Sequence, residues 1–207
     1  STAEMMKDKI DITIYFAPKT SDEALEQMKT IDLWKREQSS SRWSLFRLGV
    51  EGHGTLMIDG ARQAVDGLAT FLFCREKPVP EAAIDLTPVY PAAKKAVRTF
   101  RFENGTLTVT DTLEGLAPGA RVTWNMNTCA RAEVNGSVLT LAQEDEARTM
   151  RRMRLTASPG EGLWEVASIA EPRMPADSPN PGVTRVRFTR VVPAEGRLDF
   201  SVRFESM

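Results

Sequence analysis

The chain has 207 residues, of which 42% are hydrophobic and 27% charged, and its formal net charge is −1. This length fits one large β domain or two small ones, and such a chain buries roughly 70% of its unfolded surface. The near-neutral charge argues against nucleic acid or an anionic membrane as a partner. No apolar run approaches the length of a membrane span, and the N-terminus lacks a signal-peptide pattern. A domain taken from a longer precursor would begin in the same way, so the compartment stays open.

Residues 1–41 are predicted to form a strand and a helix that pack on the core. Ile12, Ile14 and Phe16 alternate with polar residues, as in a strand. Residues 20–38 begin with the capping-box spacing of Thr20 and Glu23. Helical periodicity follows at Leu25, Met28, Ile31 and Trp34.

From residue 42 onward the hydrophobic period is two. In the segment 197–204, Leu198, Phe200, Val202 and Phe204 alternate with polar residues, which predicts a half-buried antiparallel strand. Two Asn-Gly pairs, at 104–105 and 135–136, stand between alternating segments and predict hairpins with type I′ turns. Further strands are predicted near 42–48, 54–59, 68–74, 121–128, 149–156, 163–169 and 183–192.

These segments predict an all-β fold, a two-sheet antiparallel β-sandwich over residues 42–207 with one short helix near the N-terminus. The predicted inward-facing residues are Leu107, Val109, Val122, Trp124, Leu198, Phe200, Val202 and Phe204. Cys74 and Cys129 lie in apolar stretches and are interpreted as buried thiols. A disulfide is the alternative if the protein is exported.

Few residues of the chain are typical of catalysis. His53 is the only histidine, and no GxSxG, P-loop or dinucleotide-binding motif occurs. The two cysteines lack the CxxC spacing of a thiolate zinc site. Arg185 and Arg187 alternate with apolar residues, so one sheet face could bind acidic sugars through bidentate pairing. The favoured alternative is the ordinary polar side of a strand.

Several short motifs occur in a fixed order. They are the run Arg42–Gln63 with Glu51-Gly52-His53-Gly54-Thr55, then Asp85-Leu86-Thr87-Pro88-Val89-Tyr90, Arg98-Thr99, and Trp124-Asn125-Met126-Asn127-Thr128. Over residues 42–130 this order resembles the C-terminal β-sandwich domain of the heparinase II/III-like polysaccharide lyases. The family pattern has Asn where this chain has Gly54, and often His at the position of Asn127.

The resemblance implies β-elimination on a uronate-containing polysaccharide, in a periplasmic or secreted protein. In the family, the catalytic residues come from an upstream α-helical toroid and an H-x-H-x-D-like segment, so no catalytic residue is assigned here. Arg47 and Glu51 are implied as substrate-binding residues, and His53 stands at a family metal-ligand position. We expect no cofactor in this chain, whereas zinc is implied for full-length family members. The partners implied are the polysaccharide and the toroid of the same parent chain.

Two functions therefore remain. The first is the sandwich domain of a uronate-polysaccharide lyase that is inactive alone, and the alternative is a non-catalytic carbohydrate-binding or architectural sandwich. A third, an isolated hydrolase built around His53, lacks a nucleophile positioned by a motif. Whether the parent protein is an active enzyme is left open by the sequence.

Overall fold

The structure is a computed structural model that describes residues 41–174 and 177–207. The strand predicted at 11–16 and the helix predicted at 20–38 lie outside the described residues. The domain boundary between 41 and 42 stays a prediction for the same reason.

Twelve strands make up most of the described chain. They are β1 Leu56–Ile58, β2 Thr70–Arg75, β3 Glu81–Asp85, β4 Lys95–Glu103, β5 Thr106–Glu114, β6 Arg121–Thr128, β7 Arg131–Asn135, β8 Val138–Glu144, β9 Met150–Ser158, β10 Leu163–Ser168, β11 Thr184–Val191 and β12 Arg197–Ser206. Short 3-10 helices lie at Ser41–Ser44, Val50–Gly52 and Thr87–Val89.

The strands form two antiparallel sheets. One has four strands in the order β1-β6-β11-β10, and the other has eight in the order β2-β3-β4-β5-β12-β9-β8-β7. The all-β sandwich predicted from the two-residue period is thereby confirmed. Among the described residues, no helix is long and apolar enough to cross a membrane.

The core lies between the sheets and contains the residues that alternation placed inward. Val122, Trp124, Leu198, Phe200 and Val202 are all at most 4% exposed. Trp124, Trp164, Phe188, Phe200 and Phe204 form a chain of ring contacts with centroids 4.9–6.4 Å apart. Leu107 and Phe204 are only half-buried, because they pair with each other near the open ends of β5 and β12.

Both predicted hairpins form, with different turns. Glu103 pairs with Thr106, and Asn104 and Gly105 have φ angles of 50° and 74°, as a type I′ turn requires. In the second hairpin Asn135 itself pairs with Val138, so Gly136 and Ser137 are the central residues. Gly136 has φ 61° at the first central position, which suits a type II′ turn rather than the predicted type I′.

Two further sequence predictions are wrong. Residues 42–48 form the end of a 3-10 helix and a turn rather than a strand, because this segment is bound to the loop at 177–180 by side-chain hydrogen bonds. Cys74 and Cys129 are free and exposed rather than buried. The apolar neighbours of Cys74 belong to β2, an edge strand in which every residue is exposed, and Cys129 lies in the turn after β6.

Candidate functional site

The Glu51 loop, residues 45–55, crosses the outer face of the four-stranded sheet. Its first half is anchored by the loop at 177–180. The backbone N–H of Phe46 donates to Oδ1 of Asp177 at 2.8 Å. Arg47 donates from Nε to Oδ1 of Asn180 at 2.9 Å and from Nη2 to the carbonyl oxygen of Pro179 at 3.0 Å. Arg47, predicted to bind substrate, therefore joins two loops in this structure.

The second half of the loop is held by two amides of β6. Alternation turns Trp124 into the core and Asn125 and Asn127 outward, toward the loop. Asn125 donates from Nδ2 to the carbonyl oxygens of Glu51, at 3.0 Å, and of His53, at 2.7 Å. Asn127 also donates to the Glu51 carbonyl oxygen, at 3.0 Å. The two amides thereby fix the backbone on both sides of Gly52.

Gly52 allows the loop to fold back on itself. A Cβ atom built at this position would lie 2.5 Å from the carbonyl oxygen of Phe46, closer than real contacts permit. A side chain at this position would therefore force the backbone at Gly52 and the backbone at Phe46 apart. This is the physical reason for glycine between Glu51 and His53.

Tyr90 connects the motif residues at the base of the loop. Its hydroxyl lies 2.7 Å from Oγ1 of Thr55 and accepts hydrogen bonds from Nε2 of Gln63, at 2.7 Å, and from the N–H of Leu56, at 3.0 Å. Burial raises the pKa of Tyr90 above its usual value, although these hydrogen bonds act in the opposite direction. At neutral pH the phenol is thus neutral and serves as a structural hub.

Arg98 and Asp111 form a buried bidentate pair beneath the loop. Nε and Nη2 of Arg98 donate to the two carboxylate oxygens of Asp111 at 2.8 and 3.0 Å. The third nitrogen, Nη1, donates to the carbonyl oxygen of Gly54 at 3.0 Å. Burial raises the pKa of Asp111 and the Arg98 charge opposes this effect. Tyr90 and Arg98, both members of the family-like motifs, therefore position the loop.

The carboxylate of Glu51 is surrounded by three arginines. Arg173 forms an ion pair with Oε2, Arg185 lies 3.6 Å from the same oxygen, and Arg187 lies 3.4 Å from Oε1. The side chains of Arg185 and Arg187 are 14% and 23% exposed. Burial lowers the pKa of Arg185, and the neighbouring Arg187 lowers it further. We call these four residues the Glu51 cluster.

Alternation in β11 predicted that Arg185 and Arg187 share one face, and they do. The sequence did not predict that Glu51 would lie over them or that Arg173 would join from the loop after β10. The only indication in the sequence that Glu51 belongs to a site was its position in the family-like motif. Arg173 also lies over the ring of Phe46, with 5.2 Å between its guanidinium carbon and the ring centroid.

His53 is exposed and lines a cavity of about 280 Å³ whose other walls include Trp43, Arg62, Gln63 and Pro91. The zinc that the family resemblance implies does not fit the described donors. Among residues 41–174 and 177–207, no three His, Cys, Asp or Glu side chains lie close enough together to hold a metal ion. A structural zinc site needs about four ligands. No step of a mechanism is therefore assigned to a metal here.

Comparison with known proteins gives a structural match alone. No family model and no curated protein matches the sequence. The fold matches a heparinase III with a TM-score of 0.60 and 12% identity. It also matches heparan sulfate lyase HepC from Pedobacter heparinus, with a TM-score of 0.63 and 11% identity.

Each match covers 85% of this chain but 27% of the solved protein, so this chain spans about a quarter of the length of either one. At this level of identity the match establishes the fold. The resemblance found in the sequence motifs is thereby confirmed for the fold, and this chain has the architecture of one part of heparinase III and heparan sulfate lyase HepC.

Proposed function

We propose that this chain is the β-sandwich domain of a heparinase II/III-like polysaccharide lyase that acts on uronate-containing glycans and is not catalytic alone. The observation that carries the proposal is the convergence of the ordered motifs on one loop. Gln63, Tyr90, Arg98 and Asn127 come from different motifs, yet each bonds to a residue of the loop. The shared fold with two proteins described as heparinase or heparan sulfate lyase supports the same assignment.

The chemistry of β-elimination explains why we assign no catalytic residue. A base must remove the C5 proton of the uronate, an acid must protonate the leaving oxygen, and the carboxylate must be neutralised. Tyr90 is unsuited to the role of base, because its hydroxyl is buried and already bonded to Thr55, Gln63 and Leu56. The proposed role of this domain is to support the substrate cleft and to present the Glu51 loop, with His53, at its wall.

In this proposal the base and acid come from an α-helical toroid and an H-x-H-x-D-like segment elsewhere in the parent protein. The partners are then that toroid and the polysaccharide. A periplasmic or secreted location follows from the same family assignment.

A longer protein that contains this chain provides the test. It is incubated with heparan sulfate, heparin, chondroitin and alginate, and the ultraviolet absorbance of the unsaturated uronate product is followed. The proposal expects product from at least one of the four glycans, and no product from the longer protein after deletion of 42–207. Activity that survives this deletion would contradict the proposal.

A non-catalytic glycan-binding domain is the second candidate. The Glu51 cluster favours it, because three arginines on the outer face of a sheet suit an acidic sugar without any catalytic group. Binding of uronate glycans by a longer protein that forms no product from any of them would select this candidate over the lyase.

A further inference from the structure

We propose that Arg173, Arg185 and Arg187 form a subsite for one anionic group of an acidic glycan, a carboxylate or a sulfate, and that Glu51 fills this subsite when no ligand is bound. The glycan as the source of the anion rests on the proposed function. The subsite itself rests on the geometry of the Glu51 cluster.

Positive charge exceeds negative charge in the Glu51 cluster. Three guanidinium groups converge on one carboxylate, and two of them contact it only at 3.4 and 3.6 Å. Glu165 also acts on the charge of Arg185, and it lies opposite Arg187 in the register of β10 and β11. These five groups together carry one excess positive charge in a half-buried position, where electrostatic attraction is stronger than in water. Glu171 and Asp177 are not among them and line the cavity beside Arg185.

Several buried donors and acceptors in and beside the Glu51 cluster lack a hydrogen-bond partner among the described residues. Nε and Nη1 of Arg185 and Nε of Arg187 are buried and have no hydrogen-bond partner within the described chain. The same is true of the Oδ1 atoms of Asn125 and Asn127. These two residues lie opposite Arg187 and Arg185 in the register of β6 and β11. Buried polar atoms are normally satisfied by protein, water or ligand. An anion with adjacent hydroxyl groups offers acceptors for the arginines and donors for the two amide oxygens.

A ligand can reach the Glu51 cluster from solvent. The side chains of Arg173 and Glu51 are 41% and 30% exposed, so the cluster is open to solvent on the side of Glu51. Arg173 also borders two cavities, one of about 260 Å³ beside Glu51 and one of about 130 Å³ beside Arg185. The smaller cavity also has Asp177 and Glu171 in its wall, so the anion is expected on the Glu51 side.

The other arginine–carboxylate contacts differ from the Glu51 cluster in how fully the arginine donors are satisfied. The pair of Arg98 and Asp111 is one-to-one and bidentate, and all three donor nitrogens are used. Glu81 is bound by Arg75 and Arg101, but both arginines are about half exposed and thus hydrated. Glu51 alone among these acids faces buried donors that it does not satisfy. Because it has the same charged group as a uronate, it is a natural competitor for the ligand.

The test is a binding titration of the full chain with sodium glucuronate. The neutral reference is a titration with glucose, in which sodium chloride keeps the ionic strength equal. Glu51→Gln removes the competing charge and is expected to bind glucuronate about tenfold more tightly than the unmodified chain, the effect of one charge-assisted hydrogen bond. Glu81→Gln is the matched control, since Glu81 also contacts two arginines, and it should leave the affinity unchanged. Glucose should not bind measurably to any of them.

A second variant keeps the proposal falsifiable if Glu51→Gln does not fold. Arg187→Gln in the otherwise unmodified chain should lose glucuronate binding while retaining the native β-sheet circular dichroism spectrum. Equal affinity in all variants, or tighter binding in Glu81→Gln as well, would overturn the subsite. If the chain does not bind glucuronate but the longer protein has lyase activity, this inference is rejected and the proposed function is left intact.

Discussion

Asn127 donates from Nδ2 to the carbonyl oxygen of Glu51 at 3.0 Å. The heparinase-like pattern often has histidine at this position, and here asparagine acts as a backbone clamp. Together with Asn125 it holds the turn that carries both Glu51 and His53. The presentation of these two side chains thus depends on the outer face of β6.

The amide clamp should contribute to stability in proportion to its buried bonds. Asn125 is fully buried and bonds to two loop carbonyls, so Asn125→Ala should lower the free energy of unfolding by about 1–3 kcal/mol. Urea denaturation measures this loss. Thr189→Ala is the control, because it removes a hydroxyl contact on the same face outside the loop, and it should cost about 1 kcal/mol or less. An Asn125→Ala variant as stable as the unmodified chain would refute the clamp.

Replacement of only one residue of the Arg98–Asp111 pair should lower the free energy of unfolding strongly. Arg98→Met leaves the fully buried Asp111 carboxylate unpaired, which typically costs about 3–5 kcal/mol. Arg98→Met combined with Asp111→Leu should recover part of this loss, since no buried charge is left over. Thermal or urea unfolding of the single and double variants checks this. A double variant no more stable than Arg98→Met alone would contradict the expectation.

Tyr90 should make the fold sensitive to alkali. Its folded pKa is raised above the usual value of 10.0, with burial as the main cause. The neutral phenol is therefore favoured by folding, so its contribution is fully present below the unfolded pKa and is lost as pH rises through the folded pKa. Tyr90→Phe removes this contribution together with the hydrogen bonds to Gln63 and Leu56.

The measurement is the free energy of unfolding of the unmodified chain and of Tyr90→Phe, at neutral pH and above pH 10. We expect the variant to be about 1–3 kcal/mol less stable at neutral pH. The difference should shrink at alkaline pH, where only the unmodified chain loses the tyrosine contribution. A difference that stays constant across this range would mean that the phenol does not titrate with folding.

His53 should not hold zinc in this chain. It is the only histidine, and the described residues bring no second and third donor close to it. Elemental analysis of protein purified without a metal-affinity column should find no stoichiometric metal. One zinc per chain that is lost in His53→Ala, together with a lower melting temperature, would show that further ligands exist.

The sequence correctly predicted the structural elements that depend only on residues close together in the chain. The alternation of Leu198, Phe200 and Val202 and the Asn104-Gly105 turn depend on neighbouring residues alone, and both are present in the structure. It failed for Cys74, because apolar neighbours do not reveal whether a strand lies at the edge of a sheet.

The candidate site was predictable only in part, for a similar reason. Alternation placed Arg185 and Arg187 on one face, and the family-like motif indicated Glu51. Their meeting with Arg173 depends on two long loops that cross the sheet, and no local pattern encodes that crossing. The role of Arg47 in substrate binding stays a prediction, and its observed bonds join it to Pro179 and Asn180.

The central claim is that this chain is a lyase domain without the catalytic base and acid. The most direct measurement is the ultraviolet absorbance of unsaturated uronate when the chain alone is incubated with heparan sulfate, heparin, chondroitin or alginate. The account predicts no increase in absorbance above a control without the chain, for any of these glycans. A sustained increase that is abolished by His53→Ala would contradict it, because the chemistry would then lie within this domain.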